Sequence, residues 1–404
     1  MTHGEARCWE ARMEASGCWP KDSPWIRPAM VDKAPRHQYA PDLLWVWDGS
    51  SWASVERTTD PERWTSAVYG GPYESTVTQI TDGLPTSSLS CGSVVADMLD
   101  SLELSPGERV LDLGTGPGWN AALLAERAGP GRVVSVEVDA QLAAAAQTRL
   151  RTAGFSVEVH TGDGAAGLPS GAPYDRLIAT YAVESVPWAW VEQIRPGGRI
   201  VTPWGRLGHV ALTVADDGRS ASGWVQGLAT FMPARGTDQG LEWSQIPRGG
   251  QDESRGCFPR PVRELADGGL LFALRALSPD IRITASPNDD ATAWLHDGRA
   301  SWAVITADHG DGPGAAVQGG PRLLADEIAQ GWERWTSAGR PSLYDFGMTR
   351  TREEQYIWYE DAEGVRHRWE PSVPMRRPRA VTTKAPAVSG VDLIPDGPGV
   401  PSGG

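Results

Sequence analysis

Three groups of residues in this chain have types and spacings that could do chemistry together. Asp112, Glu137, Asp163 and Thr180 each sit in or just after a short apolar run. Gly114, Gly116 and Gly118 alternate in VLDLGTGPGWN, residues 110–120. Thr86, Ser87, Ser88 and Ser90 crowd a hydroxyl-rich stretch, residues 73–91. Glycines between a buried strand and a helix start let the backbone turn sharply and approach a ligand closely. A carboxylate at the end of the following strand can accept both hydroxyl hydrogens of a ribose. Asp163, within Gly162-Asp163-Gly164, can accept from an exocyclic amine.

The glycine turn alone equally fits a dinucleotide site. Asp112 decides between ligands, because its negative charge would repel a pyrophosphate. A cationic ligand such as S-adenosylmethionine fits that charge. One acid at a strand end reads as a helix or turn cap; four polar groups at successive strand ends read as a site. On this reading Asp112, Gly114, Gly116, Gly118, Glu137, Asp163, Gly164 and Thr180 hold the cofactor.

Such a site needs a sheet whose strands end together. Strands are expected over residues 110–113, 132–138, 156–160, 175–180 and 199–203, with further strands at 210–215 and 222–229. Helices are expected over 92–102, 121–128, 141–153 and 187–194. That alternation predicts a parallel, doubly wound α/β sheet with ligands beyond its carboxyl edge. Before it, residues 1–40 show no period and read as an irregular arm. Residues 43–55 read as a hairpin around Asp48-Gly49. Asp60 followed by Pro61 marks a helix start. The stretch 73–91 reads as a loop running into the helix at Gly92. After the sheet, 280–286 reads as a strand, 293–306 as a hairpin around Asp297-Gly298, and 343–359 as two strands. Leu323, Leu324, Ile328, Trp332 and Trp335 recur at helical spacing. From Pro371 onward, Pro, Gly and Ser predict a disordered tail.

The block from Thr78 to Arg235 resembles the protein-L-isoaspartate O-methyltransferases. The resemblance rests on LELSPGERVLDLGTGPGWNAALLAE, VVSVEVD, HTGDG, DRLIATYAVESVP and RPGGRIVTPWG, in family order. It implies a Rossmann-like class I S-adenosylmethionine-dependent methyltransferase fold and methylation of a peptide carboxylate. It also places Ser88-Leu89-Ser90 on the family's Thr-Ile-Ser substrate segment, which marks Ser88 and Ser90 as catalytic and Thr86, Ser87, Ser88 and Ser90 as substrate-binding. Cys91-Gly92 stand where Gln-Pro or Ala-Pro is usual. The expected organisation is an N-terminal extension (1–72), a catalytic domain (73–236), a C-terminal α+β module (237–370) and a tail (371–404). That layout, with Pro341–Gly347 as a looser signature, resembles extended actinobacterial members found with ribosomal peptide gene clusters. Those members imply methylation of an aspartate side chain in a precursor peptide, the ester closing to aspartimide or isoaspartate. General isoaspartate repair is the alternative. A cofactor-retaining peptide-binding protein is a third reading, from another class.

A net charge of −14 over 404 residues argues against nucleic acid and suits a basic peptide. The four cysteines form no C-x-x-C pair, so neither a disulfide framework nor a zinc site is expected, and a reducing cytoplasm fits. The N-terminus lacks an apolar h-region, and no run reaches the length of a membrane span. The nineteen tryptophans lie mostly outside the central stretch. They read as core for the flanking regions or, more sharply, as a peptide-binding face.

Overall fold

The computed structural model describes residues 2–249, 253–286, 289–307 and 313–376. These residues fall into two compact units, one built from 2–235 with 347–356, the other from 236–346 with 357–376.

The first unit starts with α1 (Thr2–Ala15), followed by the hairpin β1 (Leu43–Trp47) and β2 (Trp52–Glu56). Then come α2 (Pro61–Val68), β3 (Thr76–Thr81), β4 (Leu84–Leu89) and α3 (Gly92–Ser101). Asp60 caps α2, accepting from the Arg63 amide at 3.1 Å, with Pro61 in the first turn. The main sheet takes β5 (Val110–Leu113), β6 (Val133–Glu137), β7 (Val157–Thr161), β8 (Tyr174–Ala179), β9 (Ile194–Trp204), β10 (Gly208–Val214) and β11 (Ser220–Gly227). Between them run α4 (Trp119–Ala128), α5 (Ala140–Thr152) and α6 (Trp188–Gln193).

The strand order is β11-β10-β9-β8-β5-β6-β7. Strands β5 to β9 are parallel, whereas β10 and β11 return antiparallel. The expected all-parallel sheet is therefore a mixed one. Short connections after β9 permit only antiparallel return, because a parallel neighbour needs a crossover. The order reverses between β5 and β8, the switch point where a Rossmann-like α/β fold opens its ligand crevice.

Two sequence expectations change here. The arm at 1–40 is not irregular: Ala6, Trp9 and Met13 lie on one buried stripe of α1. The stretch 73–91 is not a loop either. Asp82 (φ 51°) and Gly83 (φ 79°) make a tight turn between β3 and β4. Pairing β2-β1-β3-β4 gives a second, four-stranded sheet.

The second unit contains an antiparallel sheet ordered β12 (Ser254–Phe258), β16 (Gly314–Gly319), β15 (Trp302–Ala307), β14 (Asp289–His296) and β13 (Arg282–Ser286). It also holds α7 (Gly268–Leu277) and α8 (Leu324–Ser337). Leu324, Ile328, Trp332 and Trp335 form the buried stripe of α8. Of the strands expected over 343–359, β17 (Phe346–Thr351) departs from the expected module. Its residues 347–351 pair with 220–224 of β11, in the first unit. The rest of the expected tail, 377–404, lies outside the described residues. No helix among the described residues is long and apolar enough to cross a membrane.

Candidate active site

The glycine turn follows β5 and leads into α4. Gly114, Gly116 and Gly118 all take positive φ (88°, 52° and 99°), so the turn needs glycine at each position. Their surroundings differ. A Cβ on Gly114 would lie 2.9 Å from both Thr180 Oγ1 and Tyr181 Cδ1. One on Gly116 would lie 3.5 Å from Ser87 Oγ and 3.8 Å from the Ser88 carbonyl oxygen. One on Gly118 would meet Ala146 and Leu150 of α5 at 3.4 Å. Gly118 thus lets α4 start close against α5.

Beneath the turn, Asp112 is fully buried. Its Oδ1 accepts from Asn120 Nδ2 at 2.7 Å, and its Oδ2 accepts from Ser135 Oγ at 2.6 Å. Ser135 in turn lies 2.6 Å from Thr115 Oγ1. Burial pushes the Asp112 carboxyl up to about 6, against the two hydrogen bonds and with help from the charge of Glu137. Asp112 therefore ties the turn to β6 and α4 from inside. Thr180 acts similarly: its hydroxyl donates to the Gly114 carbonyl at 2.7 Å. The sequence assigned Asp112, Gly118 and Thr180 to cofactor contact. In the structure Asp112 and Thr180 make the internal hydrogen bonds just given, and Gly118 packs against α5.

Glu137, Asp163 and Gly164 surround the turn. Glu137 ends β6 and is buried; its Oε2 accepts from the Gly116 amide at 2.8 Å and its Oε1 from the Asp139 amide at 3.1 Å. A carboxylate has about four lone-pair sites, so acceptor capacity remains. Asp163 is exposed, and its Oδ1 caps the turn at the Ala165 amide at 2.9 Å. A Cβ on Gly164 would stand 2.3 Å from Tyr181 Oη. That hydroxyl is buried and has no hydrogen-bond partner among the described residues. Burial pushes it well above the usual tyrosine range, and the charges of Asp163 and Glu137 add to the shift. Tyr181 packs edge-on to Trp190, whose indole donates to the Gly164 carbonyl at 2.8 Å.

An orphaned buried hydroxyl beside two carboxylates and a glycine cradle fits an adenosyl ligand, which brings both donors and acceptors. Sequence reasoning missed Tyr181, although it stands directly after Thr180.

The hydroxyl cluster lies on β4 and, at Ser90, just after it. Ser87 is buried, bonded to Thr78 Oγ1 at 3.0 Å, and faces the glycine turn. Thr86 is held by Gln79 Oε1 at 2.8 Å and Thr81 Oγ1 at 3.0 Å. Ser88 and Ser90 are half-buried, and their hydroxyls carry no hydrogen bond among the described residues. The hairpin is pinned at both ends. Arg235 reaches Gln79 Oε1 at 2.8 Å, the Thr86 carbonyl at 3.3 Å and Asp139 Oδ2 at 3.2 Å. At the other end Arg36, 1% exposed, donates to the carbonyls of Ser90 (2.6 Å) and Val68 (3.1 Å) and to Thr76 Oγ1 (3.2 Å). Burial brings the Arg36 guanidinium down to about 10. It stacks 4.6 Å from the Trp119 ring centroid, and the Trp119 indole donates to the Ala34 carbonyl at 2.8 Å. The N-terminal arm thus fixes the position of the hairpin.

The glycine of the Cys91-Gly92 pair has a packing reason. A Cβ on Gly92 would stand 2.2 Å from Trp9 Cζ2. Helix α1 lies against the first turn of α3, and only glycine leaves room for its tryptophan.

The family model for protein-L-isoaspartate(D-aspartate) O-methyltransferases matches residues 52–234. A protein-L-isoaspartate O-methyltransferase of Aeropyrum pernix is 44% identical over 138 residues, covering 33% of this chain and 53% of the relative. Protein-L-isoaspartate O-methyltransferase 2 of Archaeoglobus fulgidus is 38% identical over 155 residues, covering 37% and 69%. The chain spans 53% and 62% of the curated relatives from A. pernix and Ignicoccus hospitalis. A solved protein-L-isoaspartate O-methyltransferase superposes at a TM-score of 0.49 with 21% identity, over 87% of this chain and 98% of that one. The matched span, 52–234, takes in the serine hairpin, the glycine turn and every strand-end group described above. The chain belongs to the protein-L-isoaspartate O-methyltransferase family.

Proposed function

We propose that this protein is an S-adenosylmethionine-dependent carboxyl O-methyltransferase that esterifies the free carboxylate of isoaspartyl residues in polypeptides. One observation carries the reading. Strand β4 seats Ser87 against the glycine turn, and the hydroxyls of Ser88, in the same strand, and Ser90, just after it, carry no hydrogen bond among the described residues. The backbone of this serine segment and the glycine turn are thus adjacent.

S-adenosylmethionine supplies, when bound, an electrophilic methyl group on a sulfonium. The Gly114–Gly118 turn, Glu137, Asp163 and Tyr181 are the residues that hold it. A carboxylate with a pKa near 4 is already ionised at neutral pH, so no general base is required. The protein's contribution is alignment and exclusion of water. Ser88 and Ser90 hold the carboxylate oxygen that is not methylated. In the ester, methanol is a better leaving group than hydroxide. The adjacent backbone nitrogen then attacks the carbonyl, methanol departs and a five-membered imide closes, without help from the enzyme. The four cysteines are free thiols, and a reducing cytoplasm suits them.

The dedicated precursor-peptide reading draws on the residues outside 52–234. It no longer draws on Gly92, whose departure follows from Trp9; nothing in the structure explains Cys91. Mass spectrometry after incubation with S-adenosylmethionine separates the readings. One sample holds an isoaspartyl peptide, a second its aspartyl isomer and a third a precursor peptide encoded beside the gene. One added methyl on the isoaspartyl peptide alone supports the proposal. Methylation confined to the precursor replaces it with the maturation reading. Cofactor binding without methylation of any peptide leaves the peptide-binding protein.

A further inference from the structure

The four-stranded sheet has one face in the core, while the opposite face is exposed at Leu43 and Trp47 and buried at Val77. Leu44 and Val55 are buried on the inner face. Side chains alternate along a strand, so Leu43, Trp45 and Trp47 share the outer face of β1. Leu43 and Trp47 are 40% and 38% exposed. The register carries this face across the sheet. Trp47 lies opposite Trp52, Trp45 opposite Ser54, and Leu43 opposite Glu56. On the other side Trp45 pairs with Val77, and Val77 pairs with Ser88. Ser54, Trp45, Val77 and Ser88 therefore form one row across all four strands, on a single face. Neighbouring strands are about 4.8 Å apart, so Trp45 stands roughly 10 Å from Ser88. That is the span of about three extended residues.

Trp47 and Trp52 meet edge to face at 5.5 Å beside the hairpin turn. Asp48 sits in that turn, its carboxylate held ionised by the Ser50 and Ser51 amides at 2.8 Å. Glu56 borders the other end of the face, exposed. An aromatic shelf bordered by carboxylates, on a chain of net charge −14, is complementary to a cation with an apolar stem.

We infer that this face, Leu43, Trp45, Trp47 and Trp52 with Glu56 and Asp48 at its edge, is a subsite for the substrate polypeptide. It takes a lysine or arginine about three or four residues from the methyl-accepting carboxylate. The inference rests on the methyltransferase reading for what lies at Ser88. Continuity of the face with that serine commits the occupant to the substrate's own flanking segment. Arginine stacks on indole faces, and its charge meets Glu56 and Asp48.

The test uses the full chain and two isoaspartyl peptides of equal length. One carries lysine or arginine three and four residues to either side of the isoaspartate, the other glutamate at the same places. Affinity is read by fluorescence anisotropy of labelled peptide and turnover by transfer of labelled methyl. The basic peptide is expected to bind about tenfold more tightly, with the advantage in KM rather than kcat. In Trp47→Ser/Trp52→Ser the preference falls below about twofold, and Trp47→Tyr restores most of it. Melting temperature and affinity for S-adenosylhomocysteine verify that the variants are folded. Equal affinity for the two peptides overturns the subsite, as does a preference that survives the double substitution. Binding is read without turnover. A basic-peptide preference with no methyl transfer therefore upholds the subsite while refuting the reaction; transfer without preference does the reverse.

Discussion

Gly92→Ala places one methyl group where the structure has no room for it. The new Cβ would lie 2.2 Å from Trp9 Cζ2, 2.9 Å from Cη2 and 3.1 Å from Met13 Sδ. Carbon atoms pack at about 3.5–4.0 Å, so the ring must retreat by more than about 1 Å. It is 1% exposed, meets Trp19 edge-on at 6.1 Å and lies 5.8 Å from the Arg36 guanidinium, so retreat disturbs the arm. Overpacking of this kind costs about 1–3 kcal/mol. Alanine in a helix returns at most about 1 kcal/mol over glycine. With the full return the net loss is about 0–2 kcal/mol, a fall in melting temperature of up to about 8 °C. Gly92→Pro carries the same Cβ and is expected to fall at least as far. Thermal and urea unfolding of wild type, Gly92→Ala, Trp9→Ala and the double variant close the cycle. Trp9→Ala alone costs about 3–5 kcal/mol. With the ring gone, Gly92→Ala becomes neutral or stabilising. An equal effect of Gly92→Ala in both backgrounds would refute the packing explanation.

Three further outcomes are expected. First, the Asp112 carboxyl stands at about 6 when folded, above the unfolded value near 4. Its contribution to stability is thus full below about pH 4 and lost as pH rises through 6, about 3 kcal/mol in all. His209 is opposite in sign. Burial holds its imidazole at about 4, so its contribution is full above about pH 6.5 and lost as pH falls through 4. Urea melts from pH 3.5 to 7.5 should show the rise removed on the acid side by Asp112→Asn and the opposing arm removed by His209→Gln. Second, Tyr181→Phe deletes an unpartnered buried hydroxyl. Calorimetry should show S-adenosylhomocysteine binding weakened about fivefold, with the melting temperature of the free protein unchanged or raised. Third, Ser88→Ala and Ser90→Ala should raise the peptide KM at constant cofactor affinity; unchanged turnover in both would remove them as carboxylate anchors.

The elements nearest the ligand were the most legible. Strands β5 to β8 are short apolar runs closed by glycine, an acid or threonine, and their parallel pairing follows from the alternation with helices. What a strand-end side chain touches was not legible. Glu137 and Asp112 read alike, yet one lies at the rim and the other under the turn. The β3–β4 hairpin has an Asp-Gly turn like the one at Asp48-Gly49. Its strands, however, hold serine, threonine and Pro85 where β1 and β2 hold tryptophans, so the period was hidden. In α1 the stripe of Ala6, Trp9 and Met13 is thin, and charges surround it. Arg36 gave no sign at all, because an arginine bound to carbonyls rather than to acids leaves no partner in the sequence pattern.

The arm's contacts also set an order of events during synthesis. Ala34 leaves the ribosome 85 residues ahead of Trp119, the side chain that donates to its carbonyl. At roughly 5–20 residues per second the arm waits about 4–17 s for that partner. Arg36 waits 54 residues for Ser90. During that interval the arm can fold α1 but cannot dock it, and Trp9 and Trp119 find each other's neighbourhood only once α4 has emerged. The arm is therefore made before its partners yet settles only with them, and the hairpin that carries Ser88 takes its final position with it.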